Sequence, residues 1–216
     1  MGIWGVGFSL FLGITVVTPP ARDIVNLSVA KQDVARYYNS GEYHKDLNNI
    51  VNTSKKLFSS YYPLPTNAAV TFDIDDTALS TLPLSQEYNF GYHKKQFHAY
   101  MKQKNLPPIT PILDLYNYLK KLGIKTIFVT GRDQNLYMST YKNLIDAGFK
   151  DFELLILRPP DTKNMGFAEY KNWVRKELTN RGYTIIGSVG DQEGDISGND
   201  AGNIRVKLPN YIYTLS

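Results

Sequence analysis

The segment Val70-Thr71-Phe72-Asp73-Ile74-Asp75-Asp76-Thr77 is an apolar run that stops abruptly in three carboxylates. Ala68, Ala69, Val70 and Phe72 have the composition of a buried strand. Asp73 and Asp75 stand two residues apart where the chain begins to turn, so both can lean toward one point beyond the strand's carboxyl end. Such a pair divides labour: one carboxylate attacks while the other moves protons. A solvated acidic turn is compatible with the same letters. A calcium loop is not: with Asp73 as position one, the required glycine at six is Ala78 and the glutamate at twelve is Leu84.

The rest of the chain supplies a frame for this segment. Residues 26–57 have helical periodicity broken at Ser40-Gly41, with Leu27, Ala30, Val34 and Tyr37 on one apolar face and Leu47, Ile50, Val51 and Leu57 on another. Residues 78–109 show no second strand and crowd Tyr88, Phe90, Tyr92, His93, Phe97, His98 and Tyr100 together, as an inserted cap would. Thr110-Pro111 predicts a helix with Thr110 as N-cap, Ile112, Leu115, Leu119 and Leu122 buried, and Gly123 past its end. Strands follow at 125–129, 152–157, 183–189 and 204–208. Helices are expected at 135–147 and 166–180, the latter turning Phe167, Tyr170, Val174 and Leu178 inward. Strands alternating with helices of this length specify an α/β fold, a parallel sheet flanked by helices with a small cap insertion after the first strand. Ligands bind beyond the carboxyl ends of such strands. That edge should carry Asp73 and Asp75, Thr130, and Asp191 and Asp195, each just after its own strand.

Four carboxylates from two loops, Asp73, Asp75, Asp191 and Asp195, make an oxygen-only set suited to Mg²⁺ rather than Zn²⁺. A hard cation among them would let the crevice accept a phosphate. Asp73 would then be the nucleophile, forming an aspartyl-phosphate, and Asp75 the general acid and base. Thr130 and Lys171, early in its helix, are candidate phosphate ligands, with Lys163 and Arg158 as competing cations. His44, His93 and His98 lack metal-ligand spacing, and neither a P-loop nor a dinucleotide fingerprint is present.

Composition narrows the class further. The 216 residues suit one domain, with 43% hydrophobic and 20% charged side chains. The absence of cysteine excludes disulfides, thiolate metal sites and a cysteine nucleophile. A net charge of +4 without any dense Lys/Arg run argues against nucleic acid and for a small anionic substrate. Residues 1–21 carry no charged side chain and read as an apolar export leader. Without it, no membrane span is expected, and residues 22–216 form the single domain, including the helices at 26–60.

The arrangement resembles the haloacid dehalogenase (HAD) superfamily, in its acid phosphatase branch, subfamily IIIB, which also contains plant vegetative storage proteins. The resemblance rests on Phe72 to Ser80, Phe128-Val129-Thr130-Gly131-Arg132, Tyr170-Lys171 followed by Arg175, and Gly187 with Gly190-Asp191-Gln192 through Asp195. Leu155 to Arg158, Lys207-Leu208-Pro209-Asn210 and Tyr37 to Tyr43 look like further signatures of the branch. Glu193-Gly194 departs from it, since relatives often carry an aromatic and a serine there. The resemblance implies a Rossmann-like fold and a Mg²⁺-dependent phosphomonoesterase working at mildly acidic pH, periplasmic or secreted. It also implies Asp73 as nucleophile, Asp75 as acid/base, and Thr130, Gly131 and Lys171 as phosphate ligands. Magnesium would be held by Asp73, the Asp75 carbonyl and Asp191, with Asp195 assisting. Two alternatives remain: a catalytically idle storage or binding protein, and phosphotransfer to an alcohol through the same residues.

Overall fold

The computed structural model describes residues 25–91, 94–103 and 106–215. The leader expected at 1–21, and Tyr92 and His93 of the insertion, lie outside the described residues. Strands β1 (Ala68–Phe72), β2 (Lys125–Asp133), β3 (Leu154–Arg158), β4 (Thr184–Gly190) and β5 (Ile204–Lys207) form one parallel sheet. Their order is β3-β2-β1-β4-β5. The chain moves outward from β1 to β3, then returns across the sheet to β4. The order therefore reverses beside β1, opening a crevice at the carboxyl ends of β1 and β4.

Period-2 alternation sorts the strand residues onto two faces. Val70, Phe72, Phe128, Leu155 and Leu157 join the larger core. It is covered by helices α2 (Glu42–Ser59), through Leu47, Val51 and Phe58, and α5 (Thr110–Lys121), through Ile112, Leu115, Tyr116 and Leu119. Ala69, Ile127 and Val129 face the other way, against Tyr170, Val174 and Leu178 of α7 (Phe167–Asn180). Each large side chain removed from water here contributes roughly 1.5–3 kcal/mol. Helices α1 (Leu27–Asn39) and α6 (Tyr137–Asp146) complete the flanks.

The insertion contains two helices, α3 (Leu82–Glu87) and α4 (Lys94–Gln103), and among its described residues no strand. Its neck is closed by paired backbone: Ser80 N–H donates to Pro107 O and Ile109 N–H to Ala78 O. Tyr88, Phe97 and Tyr100 pack half-buried on the main core. No helix among the described residues is long and apolar enough to cross a membrane.

Several expectations need correction. Leu27 and Leu57, assigned to apolar faces, are exposed at 68% and 49%. The buried stripe of α2 is instead Tyr43, Leu47, Val51, Ser54 and Phe58, spaced at four, four, three and four residues along one helical face. Thr110 is the first helical residue of α5, and its N-cap is Ile109, whose side chain offers no acceptor. Strand β2 runs on to Asp133 across a shift in register after Val129, so Thr130, Gly131 and Arg132 belong to the strand's irregular end. Strand β4 likewise includes Gly190.

Candidate active site

Strand β1 delivers its carboxylates through a tight turn. The Asp73 amide donates to Val189 O, extending the ladder one residue beyond Phe72. Ile74 then plugs into the core with no exposed surface, and its carbonyl accepts from both Ala78 and Leu79 N–H. Asp76 takes a left-handed φ of +56° to close the turn, a conformation that Asp and Asn tolerate better than most residues. Its carboxylate is buried and caps Thr81, accepting from the Thr81 amide (2.8 Å) and hydroxyl (2.5 Å). Burial first, and then the charge of Asp191, push the Asp76 pKa up to about 7 despite these bonds.

Lys171 enters from α7, one turn into the helix, and is 1% exposed. Its Nζ lies 2.5 Å from Asp73 Oδ1, 2.8 Å from Asp195 Oδ1 and 2.5 Å from Val129 O. Two of these contacts, to Asp73 Oδ1 and Val129 O, are hydrogen bonds, and the third is an ion pair whose Asp195 oxygen accepts no hydrogen bond. Burial works against this charge, but Asp195 and Asp73 outweigh it and hold the lysine above its ordinary pKa. The Phe167 ring lies 5.1 Å from the same Nζ. For Asp73 the balance goes the other way: burial and then Asp195 raise its pKa well above the carboxylate range, against the opposing pull of Lys171.

Beyond β4, Asp191 accepts from Thr77 Oγ1 on one oxygen (3.0 Å) and from the Gln192 and Asn210 amides on the other (2.6 and 2.7 Å). Burial and then Asp195 raise its pKa too. Asp195 Oδ2 accepts from the Gln192 amide N–H. The loop that carries it is held from α7 by buried Arg175, whose guanidinium donates to the carbonyls of Asp195 (2.7 Å), Gly194 (3.2 Å) and Ser197 (2.6 Å). Two glycines permit this closeness. A Cβ on Gly190 would stand 2.1 Å from Asp195 Cβ, and one on Gly194 would stand 2.7 Å from the Phe167 ring and 2.9 Å from Ala168 Cα. The Phe167 ring thus fills the space beside the departing Glu193-Gly194 pair.

One carboxylate oxygen from each of Asp73, Asp191 and Asp195 lies within 4.8 Å of the others, and all three residues are buried. Buried carboxylates this close repel one another, and Lys171 supplies one positive charge against three. The donors are hard oxygens, with neither thiolate nor imidazole among them. The set fits a divalent, oxygen-seeking cation of the Mg²⁺ type.

Asp75 sits apart from that cluster. Arg132 grips it with both ends of the guanidinium, Nε to Oδ2 at 2.9 Å and Nη2 to Oδ1 at 2.6 Å, while Nη1 donates to Thr140 Oγ1 at 3.1 Å. Burial opposes the arginine's charge, but Asp75 more than compensates and raises its pKa. Thr130 is buried, and its hydroxyl accepts from the Arg132 amide. Gly131 packs under Phe167, where a Cβ would lie 3.5 Å from the ring, an ordinary contact.

Asp73, Lys171, Asp191 and Asp195 therefore meet directly, and Asp75, Thr130 and Gly131 line the neighbouring end of β2. The competing cations do other work. Arg158 donates to the carbonyls of Thr162 and Met165 and covers the Tyr170 ring, while Lys163 is exposed on the turn after β3. His44 is exposed, and His98 on α4 pairs with Asp133 at 3.4 Å. The motif reading missed the Arg132 fork, the Arg175 clamp, buried Asp76 and the amides on Asp191. A third carboxylate directly after Asp75, and an arginine four residues after Lys171, were the signals available in the letters.

Comparison with known proteins agrees with this architecture. Residues 17–216 match the family model described as HAD superfamily, subfamily IIIB (acid phosphatase). The chain is similar to a stem 31 kDa glycoprotein of Glycine max, 32% identical over 180 residues that cover 82% of this chain and 71% of that one. It is also similar to acid phosphatase 1 of Solanum lycopersicum, 34% identical over 145 residues that cover 66% of this chain and 57% of that one. Among solved structures, the class C acid phosphatase of Bacillus anthracis superposes with a TM-score of 0.70 at 19% identity, covering 87% of each chain, and so shares the fold. With all but its first sixteen residues inside the family pattern, the chain belongs to the HAD superfamily, subfamily IIIB, the acid phosphatases, and is a phosphomonoester hydrolase.

Proposed function

We propose that the chain hydrolyses small phosphomonoesters through an aspartyl-phosphate on Asp73, with Mg²⁺ held by Asp73, the Asp75 carbonyl, Asp191 and Asp195. The observation that carries this reading is the buried carboxylate trio with Lys171 wedged into it. Bound among these oxygens, the cation would neutralise their charge and that of the transferring phosphoryl group.

The chain's own groups do the rest. Asp73 Oδ attacks phosphorus as the ester P–O bond breaks, and Asp75 gives its proton to the departing oxygen. Asp75 then takes a proton from water, whose oxygen attacks the same phosphorus. The aspartyl P–O bond breaks, releasing orthophosphate and restoring both carboxyl groups. This use of one acid and base typically contributes about 10²–10⁴ in rate. The Thr130 hydroxyl, the Gly131 N–H and Lys171 are the donors for the non-reacting phosphate oxygens. Lys171 already donates to Asp73 and to Val129 O, so it turns a remaining proton, or one released by Asp73, toward the phosphate. Export through the apolar leader, and work at mildly acidic pH, complete the proposal.

The test is phosphate release from an aryl phosphate by wild type and Asp73→Asn, each with Mg²⁺ or a chelator. Activity that needs the metal and vanishes in the folded variant supports the reading. Equal inertness of both proteins across acidic to neutral pH sinks it and favours a storage or binding role. Adding an alcohol acceptor and measuring ester formation separates phosphotransfer from hydrolysis.

A further inference from the structure

Two segments singled out in the sequence have no part in this chemistry: Tyr37 to Tyr43, and Lys207-Leu208-Pro209-Asn210. The fold brings them together beside Asp191. Lys207 pairs with Gly190 in the sheet, and Leu208 N–H continues the ladder to Gly190 O. Two residues later, Asn210 arrives next to the carboxylate that follows Gly190. The chain then runs over the site as a strap, residues 211–215. At its start, Tyr211 N–H donates to the Tyr38 hydroxyl and its ring meets Tyr37 edge-on at 4.9 Å.

The two amides on Asp191 each face both ways. Asn210 Nδ2 donates to Asp191 Oδ2, while its Oδ1 accepts from the backbone N–H of Ile212 (2.8 Å) and Tyr213 (3.3 Å). Gln192 Nε2 donates to the same Oδ2, while its Oε1 accepts from Leu215 N–H (2.8 Å). A carboxylate offers about four acceptor positions. Thr77 takes one on Oδ1 and the amides take two on Oδ2, leaving one on Oδ1 for a cation. The strap also places Tyr213 among the acids: burial, then the charges of Asp76, Asp191, Asp75 and Asp73, keep its phenol protonated.

We propose that Asn210 and Gln192 form an amide clamp that fixes Asp191 as a one-oxygen metal ligand and ties its orientation to the strap at residues 211–215, so that metal binding and strap order are one coupled event. This rests on the metal site proposed above. Both residues are positioning residues acting through Asp191. Groups that orient a metal ligand from behind are typically worth about 10–100-fold in metal affinity. Coupling of this kind is reciprocal, so whatever the strap contributes to metal affinity, the metal must return to the strap.

The experiment uses Mg²⁺ alone as the probe. Calorimetry measures its affinity for wild type and Asn210→Ala, and amide hydrogen exchange follows Ile212, Tyr213 and Leu215 with and without the ion. The clamp predicts a loss of affinity of about 10–100-fold in Asn210→Ala. It also predicts that Mg²⁺ slows exchange at the three amides in wild type and no longer does so in the variant. If wild type fails to bind Mg²⁺, the metal-site reading itself falls, and the clamp with it. If wild type binds but Asn210→Ala binds equally well, or exchange in the wild-type strap ignores the ion, the clamp alone is overturned. The wild-type exchange measurement decides the matter even where the variant does not fold.

Discussion

Arg132→Lys keeps a positive charge beside Asp75 but loses the fork. In the structure that fork makes two charge-assisted hydrogen bonds, at 2.9 and 2.6 Å, from a guanidinium buried and braced on Thr140. A lysine ammonium can replace one of them as a point charge but cannot hold the carboxylate plane. A hydrogen bond to a charged group contributes about 1.5–3 kcal/mol. Losing one should therefore lower the share of Asp75 in its productive orientation by about 10- to 100-fold, at 1.36 kcal/mol per factor of ten. The assay compares kcat/KM for two substrates. An aryl phosphate leaves as a stable phenolate and needs little proton donation, whereas an alkyl phosphate needs a proton on its departing oxygen. Because kcat/KM stops at the first irreversible step, water activation does not blur the comparison. The variant should lose the full factor on the alkyl ester and far less on the aryl ester, while its thermal unfolding temperature falls by an amount matching the lost hydrogen bond. Equal losses on both esters, or a change confined to KM, would show that Arg132 serves the phosphate and not Asp75.

Lys171→Met leaves Asp73 and Asp195 buried without their cation and should destabilise the metal-free protein by about 3–5 kcal/mol at neutral pH, as read by urea denaturation. Wild-type stability in that variant would contradict the argument. Gly190→Ala forces a Cβ to 2.1 Å from Asp195 Cβ, so a loss of at least about 1–3 kcal/mol and a displaced Asp195 are expected, measured by thermal unfolding and by Mg²⁺ titration. Metal-free wild type should melt lower at pH 7.5 than at pH 5. The Asp76 pKa, raised to about 7 when folded, means the native state binds more protons than the unfolded one between about pH 4 and 7, so stability falls as pH rises through that window. Asp73 and Asp191 shift in the same direction. A melting temperature that rises over this range in the presence of chelator contradicts the argument.

The sequence was most informative where local chemistry and periodicity coincide. Asp73, Thr130 and Asp191 each stand at the end of a largely apolar run, and a parallel sheet gathers such points on one edge, so these three could be placed near one another from letters alone. Lys171 could not be separated from Lys163 in that way, because which lysine reaches the edge depends on how α7 lies across the sheet. The pairing of Arg132 with Asp75 spans 57 residues and depends on the irregular end of β2, which no periodicity encodes. Leu27 and Leu57 fit helical stripes as letters, yet the stripes actually buried are set by what α1, α2 and α5 present to one another. Helix caps failed for a similar reason: Thr110 resembles a cap, but the neck hydrogen bond from Ile109 to Ala78 fixes where the helix begins.

The contact between Phe167 and Gly194 also bears on how this sequence can drift. The two positions lie on different elements and 27 residues apart in the chain, yet the ring occupies the volume that any side chain at 194 would need. Neither can change first without a clash or a void, and because a Cβ at 194 would also stand 2.9 Å from Ala168 Cα, an exchange of Gly194 for serine needs both a smaller residue at 167 and a shift of the first turn of α7. Since the same ring lies beside Lys171 and over Gly131, that exchange would pass through a protein whose lysine is less confined. Lineages that differ at these two positions are thus separated by a step taken at the site itself, and chimaeras that swap the β4 loop without α7 should fold poorly.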